Sequence, residues 1–273
     1  MKSWILVAAI GAFAAVVSTG LALGADGMKE AVKPEKDNPL PELWSGYHFA
    51  TKDTQAMQDD DFQNPAMPWY ETGASLWKKV DGGAGKSCAS CHQDAAASMK
   101  TAATTYPVYD EKLKTLVNIE NRINNCREQN MKAAAWKYDS DELLGMTIYI
   151  KRQAEGQPIH VKIDGPAKEW FDKGKEFYYA RRGQMDLSCA HCHEKYYGQQ
   201  IRMNILTQGQ SNGFPTYRLV WQKPGSLHRR FKGCNDQVRA AAYKVGGEEY
   251  LALELYLAWR GNGLTVEAPS VRN

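Results

Sequence analysis

Two copies of C-x-x-C-H constrain this chain more than any other feature: Cys88-Ala-Ser-Cys91-His92 and Cys189-Ala-His-Cys192-His193. The spacing is the attachment signature of c-type haem. Cysteines one helical turn apart share a face, from which their sulfurs reach the two vinyl groups of one porphyrin. The histidine that follows is placed to bind the iron from the proximal side. A zinc site would want further Cys or His at ligand spacing, and a thioredoxin-type pair has no need of the histidine. The sequence therefore predicts two covalently bound haem c groups, attached through Cys88, Cys91, Cys189 and Cys192, with His92 and His193 as iron ligands.

The motifs lie inside a longer repeat. Gly73 precedes Cys88 as Gly174 precedes Cys189, and Leu76-Trp77 matches Phe177-Tyr178 between them. Arg122 to Cys126 mirrors Arg230 to Cys234, Ala133 to Lys137 mirrors Ala240 to Lys244, and Asp141 to Ile150 mirrors Glu248 to Leu257. The last pair opens on acidic residues and repeats apolar ones at helical spacing, so each half should close on an amphipathic helix. Each half reads as a short helix, the haem motif, a loop and a closing helix, with weak strand signals throughout. The predicted fold is mainly α: two tandem class I cytochrome c-like domains related by duplication, over 65–155 and 156–273. A linker is expected over Gln153 to Pro166, where Gly, Pro and polar residues cluster. An N-terminal extension covers 26–64, and its Asp59-Asp60-Asp61 run reads as a solvated loop or helix start.

Lys2, the apolar run from Trp4 to Val17 and the small residues up to Ala25 predict a signal peptide over 1–25, cleaved near Gly24 or Ala25. The run is short for a membrane span, so the expected mature protein is periplasmic and soluble. Net charge is only +3, with both signs interspersed and no basic stripe for nucleic acid.

Six cysteines in an exported chain would suggest disulfides, but four belong to the motifs. The usual distal ligand would be a methionine, here Met131 or Met203. These two are not equivalent in the repeat, whereas Cys126 and Cys234 are, so Cys126 is assigned to the first iron and Cys234 to the second. The alternative is a Cys126–Cys234 disulfide. Thiolate ligation lowers a haem's potential relative to methionine. Arg229, Arg230 and Lys232 near Cys234 favour thiolate over thiol, and His228 adds a donor. A planar guanidinium there would suit an oxyanion substrate. Arg122 and Arg127 stand near Cys126.

At this point the chain resembles a known family, the dihaem SoxA subunits of the SoxAX cytochromes of bacterial thiosulfate oxidation. The likeness runs through Ser45 to Phe49, Thr54 to Phe62, both haem motifs, Gly213 to Leu219, Gly225 to Phe231 with Gly233-Cys234-Asn235, and Leu253 to Gly261. It implies an L-cysteine S-thiosulfotransferase that conjugates thiosulfate oxidatively to a cysteine of the SoxYZ carrier. It also implies a monohaem partner, SoxX, and a cytochrome c electron acceptor. By the same resemblance Cys234 is the catalytic sulfur, modified to a persulfide, Arg230 is the active-site arginine, and Cys126 is the distal ligand of the first haem. Two other functions fit the residues: a plain dihaem electron carrier, and a thiosulfate dehydrogenase that forms tetrathionate.

Overall fold

The computed structural model describes residues 30–273; the expected signal peptide lies outside them. The order is α1 (Lys52–Asp59), α2 (Met67–Lys78), α3 (Cys88–His92), α4 (Ala95–Ser98), β1 (Val108–Asp110), β2 (Thr115–Val117), α5 (Ile119–Cys126), α6 (Asp141–Arg152), α7 (Ala167–Tyr179), β3 (Gln200–Ile201), β4 (Asn204–Ile205), β5 (Thr216–Arg218), β6 (Lys223–Gly225), α8 (Leu227–Gln237), α9 (Glu248–Arg260) and β7 (Ser270–Arg272). The chain is mainly helical, as expected.

Two helix pairs form the frame: α2 packs on α6, and α7 on α9. Each crossing is made possible by a glycine. A Cβ on Gly73 would stand 2.1 Å from Gly145 O, and one on Gly174 would stand 2.0 Å from Ala252 O. Such small residues let backbones touch, and any side chain would hold the helices apart. The closing helices start where their acidic residues predict. Ser140 caps α6 by accepting from Leu143 N, and both α6 and α9 carry acidic residues in the first turn and an arginine in the last, as the helix dipole favours. The two loops that precede the haem motifs also match. Asp81 bridges Lys86 and Arg182 bridges Leu187. Gly82 and Gly183 take φ of +74° and +69° with no room for a Cβ against Met131 O and Val238 O.

The two halves differ by one residue at a defined place. After Cys126 the helix widens into a π turn over Arg127–Met131, while α8 runs on past Cys234 as ordinary α-helix to Gln237. A π turn absorbs one extra residue. The matched positions therefore shift by one residue between Cys126 and Cys234 on one side and Ala133 and Ala240 on the other.

Three features were not expected. The strands form two hairpins, β1–β2 and β3–β4, and a sheet in the order β6-β5-β7 with β7 parallel to β5. The N-terminal extension is bound to the second half: Asn38 Nδ2 donates to Arg260 O, Trp44 N to Gln208 Oε1, and Asn64 Nδ2 to Pro269 O. Within its acidic run, Asp59 accepts from Tyr47 Oη at 2.6 Å, Asp60 accepts from Phe62 N, and Asp61 pairs with Arg152 at 2.8 Å. The stretch after α6 has no helix, but it is zipped to the segment after α9 through Ile159 N to Leu264 O, Gly263 N to Ile159 O and Val266 N to Gln157 O. Buried apolar residues from both halves form one continuous cluster, from Trp77 and Leu143 to Tyr250 and Trp259.

Candidate functional site

Each haem motif opens on a capped turn. Ser87 and Ser90 cap each other's backbone N–H at the start of α3. At the second motif Ser188 N and Oγ lie 3.1 and 2.8 Å from His191 Nδ1. The side-chain partner at the third position fixes the first turn in both. Trp77 Nε1 donates to Gln93 O at 3.0 Å, and its ring lies 5.9 Å from that of His92. His92 and Cys91 are exposed, whereas His193 and Cys192 are partly enclosed.

His193 is held as an iron ligand needs to be. Its Nδ1 is 2.7 Å from Thr207 O, which fixes the proton on Nδ1 and leaves Nε2 with its lone pair. Burial pushes its pKa down to about 4, so the ring is neutral at neutral pH. Gly209, at φ +73°, lies under the ring, where a Cβ would come within 2.9 Å of His193 Cγ. Sequence reasoning missed this cradle from Thr207 to Gly209; a lone glycine in a polar loop was its only signal.

The leftover cysteines sit in the halves to which the repeat assigns them. Burial first, then Cys126, raises the Cys88 thiol to about 11. Burial first, then Cys234, raises Cys189 to about 12, and Cys192 is raised by the same two causes. All six cysteines are free. Met131 is buried as the last residue of the π turn, and Met203 is 88% exposed on the β3–β4 hairpin.

The cations divide unevenly. In the first half, Arg122 pairs with Asp110, and Arg127 with Asp81 at 2.8 Å while lying 3.7 Å over Trp136. Both charges near Cys126 are thus neutralised. In the second half, Arg229 and Arg230 have no carboxylate at ion-pair distance among the described residues. Arg229 lies 4.4 Å and Arg218 5.1 Å over the Trp221 ring. Arg218 donates through Nε to Asn273 O at 2.7 Å. Burial, then Arg230, lowers its pKa to about 10, while Cys234 acts to raise it. It remains a cation at neutral pH, close to both. Arg230 also bears on Cys192 and His193. Sequence reasoning gave Arg218 no role, because β5 brings it to the site from outside the repeat.

Two expected neighbours are elsewhere. Lys232 is spent on Asp236 at 2.8 Å in solvent. His228 is buried on the far side of α8, with Nε2 2.9 Å from Glu254 Oε2. Both lie close to Cys234 in sequence but point away from it on the helix.

Whether these residues fit a haem can be judged from polar atoms left without partners. Arg260 is fully buried. Its Nη1 donates to Gln208 O at 3.1 Å and its Nη2 lies at a long ion-pair distance, 3.5 Å, from Glu194 Oε1, but neither Nε nor Nη2 makes a hydrogen bond, and neither does Arg182 Nε. Unmet buried donors on a cation are costly. Arg260 acts on both His193 and Cys189, so the carboxylate of a haem propionate would meet an existing need there. The residues fit the group.

A covalent-haem motif with a cradled histidine and a buried, unsatisfied arginine defines the chain as a c-type cytochrome, and the profile of the SoxA/TsdA cytochrome c domain matches residues 72–159. The L-cysteine S-thiosulfotransferase subunit SoxA of Pseudaminobacter salicylatoxidans is 46% identical over 89% of this chain and 85% of its own length. That of Paracoccus pantotrophus is 43% identical over 85% and 79%. The crystal structure of SoxXA from P. pantotrophus matches with a TM-score of 0.83 at 42% identity, covering 86% of this chain and 89% of that one. The chain belongs to the SoxA family. No helix among the described residues is long and apolar enough to cross a membrane.

Proposed function

We propose that this chain is the catalytic, dihaem subunit of a periplasmic L-cysteine S-thiosulfotransferase, built from two duplicated cytochrome c domains over 65–155 and 156–273. The observation that carries the reading is the contrast between the halves. The arginines near Cys126 are neutralised by aspartates, while Arg230 has no carboxylate partner among the described residues and Arg218, a cation close to it and to Cys234, is engaged only through Nε on Asn273 O.

Cys88, Cys91 and His92 with Cys126 hold the first haem, and Cys189, Cys192 and His193 with Cys234 the second. A haem held by these residues would supply one-electron redox chemistry at Cys234, and a monohaem subunit of the SoxX type would be the partner that accepts the electrons. Arg230 and Arg218 hold the sulfonate end of thiosulfate, each through a charge-assisted hydrogen bond. That leaves the outer sulfur facing the sulfur at Cys234. An S–S bond forms between these two reduced sulfurs, releasing two electrons. A thiolate of the SoxYZ-type carrier then attacks the adduct and leaves as a cysteine S-thiosulfonate, with the sulfur at Cys234 as leaving group. A cytochrome c is the final acceptor. Replacing Cys234 with Met should abolish conjugation while haem content and the α-band remain; full turnover in that variant would refute the assignment.

A further inference from the structure

The helices that carry Cys126 and Cys234, α5 and α8, both begin at the same buried polar cluster. Asn118 caps α5 by accepting from Asn121 N, and Ser226 caps α8 by accepting from Arg229 N. The first half reaches across to the start of α8 at two points. Asp139 Oδ1 accepts from Ser226 N at 2.8 Å. The Tyr138 ring stacks on His228 at 5.7 Å and 7°, and its hydroxyl donates to Asn121 and Asn118. His228 Nδ1 accepts from Gly246 N at 2.9 Å, which puts its proton on Nε2, facing Glu254 at 2.9 Å. Glu254 Oε2 also accepts from Asn118 Nδ2 at 2.9 Å. Glu120, in the first turn of α5, is buried beside it.

The cluster thus holds two carboxyl groups out of water. The charged and titratable groups that face them are Lys151 from α6, His228 from α8, and Tyr138 and Asp139 from the loop before α6. Burial and then Glu254 push Glu120 up to about 7. Burial pushes Glu254 up too, but His228 and Asn118 outweigh it and its net direction is down. Two carboxylates cannot both ionise cheaply in one dry site. Below about pH 7 Glu120 carries the proton while Glu254 is the carboxyl that ionises first.

We propose that the first half positions the catalytic helix: Asp139 and Tyr138 hold its first turn, and a proton kept on Glu120 beside Glu254 sets how firmly they do so. Loss of that proton places a second negative charge against Glu254. The strain can be relieved where the cluster meets α8, through His228, two residues before Arg230. Asp139, Tyr138, Glu120 and Glu254 are positioning residues, since none touches the reacting sulfur. The effect on turnover rests on the reading of Cys234 as the reactive sulfur; the effect on α8 does not.

The test uses the haem-loaded full-length chain as wild type, Glu120→Gln and Asp139→Ala. Hydrogen exchange is followed at the amides of 228–231 from about pH 5 to 8, the window set by the Glu120 shift, corrected for intrinsic base catalysis, alongside the pH profile of kcat for thiosulfate conjugation. A one-proton linkage changes the opening equilibrium by up to about tenfold per pH unit between the open-state and closed-state pKa values and levels off above the higher one. With Glu120 raised from 4.5 to about 7, wild-type exchange should therefore quicken by nearly tenfold per unit between about pH 5 and 6.5 and level off above 7, and Glu120→Gln should stay flat. Asp139→Ala should exchange faster at every pH, and the inflection in kcat near pH 7 should vanish in Glu120→Gln. Parallel profiles for wild type and Glu120→Gln, in exchange or in kcat, would overturn the proposal. Exchange that behaves as expected in a chain that conjugates no thiosulfate would retain the positioning role and refute the functional reading instead.

Discussion

Replacing Gly174 with alanine adds one methyl group where α7 meets α9. That Cβ would lie 2.0 Å from Ala252 O, 2.6 Å from its carbonyl carbon and 3.0 Å from Tyr256 Cβ. The obstacle is backbone inside a helix and cannot turn aside, so the helices must separate by about 1 Å or more to reach even the shortest tolerated contact. Overpacking of this kind costs typically about 1–3 kcal/mol. Alanine recovers up to about 1 kcal/mol of helix propensity over glycine. Because rigid backbone is the neighbour, the upper part of the range applies, and a net loss of about 2 kcal/mol follows. For a chain of this size that lowers Tm by roughly 4–8 °C. Gly73→Ala meets Gly145 O at 2.1 Å and Tyr149 Cβ at 2.6 Å, so it should cost about the same. Thermal melts of the haem-loaded variants by circular dichroism give both numbers. An unchanged or raised Tm in Gly174→Ala would refute the close-crossing argument, and a large effect in one variant only would refute the equivalence of the two crossings.

Arg218→Met removes one cation from the anion-holding group and keeps a side chain of similar length. The loss of a charge-assisted hydrogen bond, about 1.5–3 kcal/mol, should raise KM for thiosulfate by roughly tenfold to a hundredfold, with a smaller effect on kcat; steady-state kinetics would show the split. Glu120 has a folded pKa raised to about 7 from 4.5, so the folded state binds its proton more tightly than the unfolded one. Its contribution to stability is fully present below about pH 4.5 and is lost as pH rises through 7, by about 3 kcal/mol in total. Urea titrations across that window should therefore show Glu120→Gln losing less stability with rising pH than wild type; parallel curves would count against the shift. Glu254, shifted the other way, contributes stability above its unfolded pKa that is lost on acidification, and it is common to both proteins.

Much of the frame was legible because local rules and global packing agree. The acidic first turns and apolar spacing of α6 and α9, the glycines before each motif and the motifs themselves are all short-range signals. The repeat even carried its own irregularity, a one-residue change of offset after Cys126 and Cys234, but only the backbone shows that a π turn absorbs it. Proximity in sequence misled at Lys232 and His228. Helical periodicity turns one toward Asp236 and the other toward Glu254, while Arg218, farther away along the chain, arrives beside Cys234 on a strand. The docking of the N-terminal extension and the pairing of β5 with β7 depend on contacts between distant segments, such as Asn64 with Pro269. The Glu120–Glu254 pair was hidden for the same reason: each glutamate reads as an ordinary residue in the first turn or on the surface of a helix until the other half covers it.

The sulfur of Cys234 is the centre of the proposed chemistry, and mass spectrometry of the peptide from Gly233 to Arg239 addresses it directly. The protein is purified without reductant, exposed to thiosulfate, and compared with the peptide that contains Cys126. Added sulfur on Cys234 alone is the predicted result, since only that cysteine has arginines free to hold an anion. An unmodified Cys234 thiol, or equal labelling of Cys126, would contradict the claim.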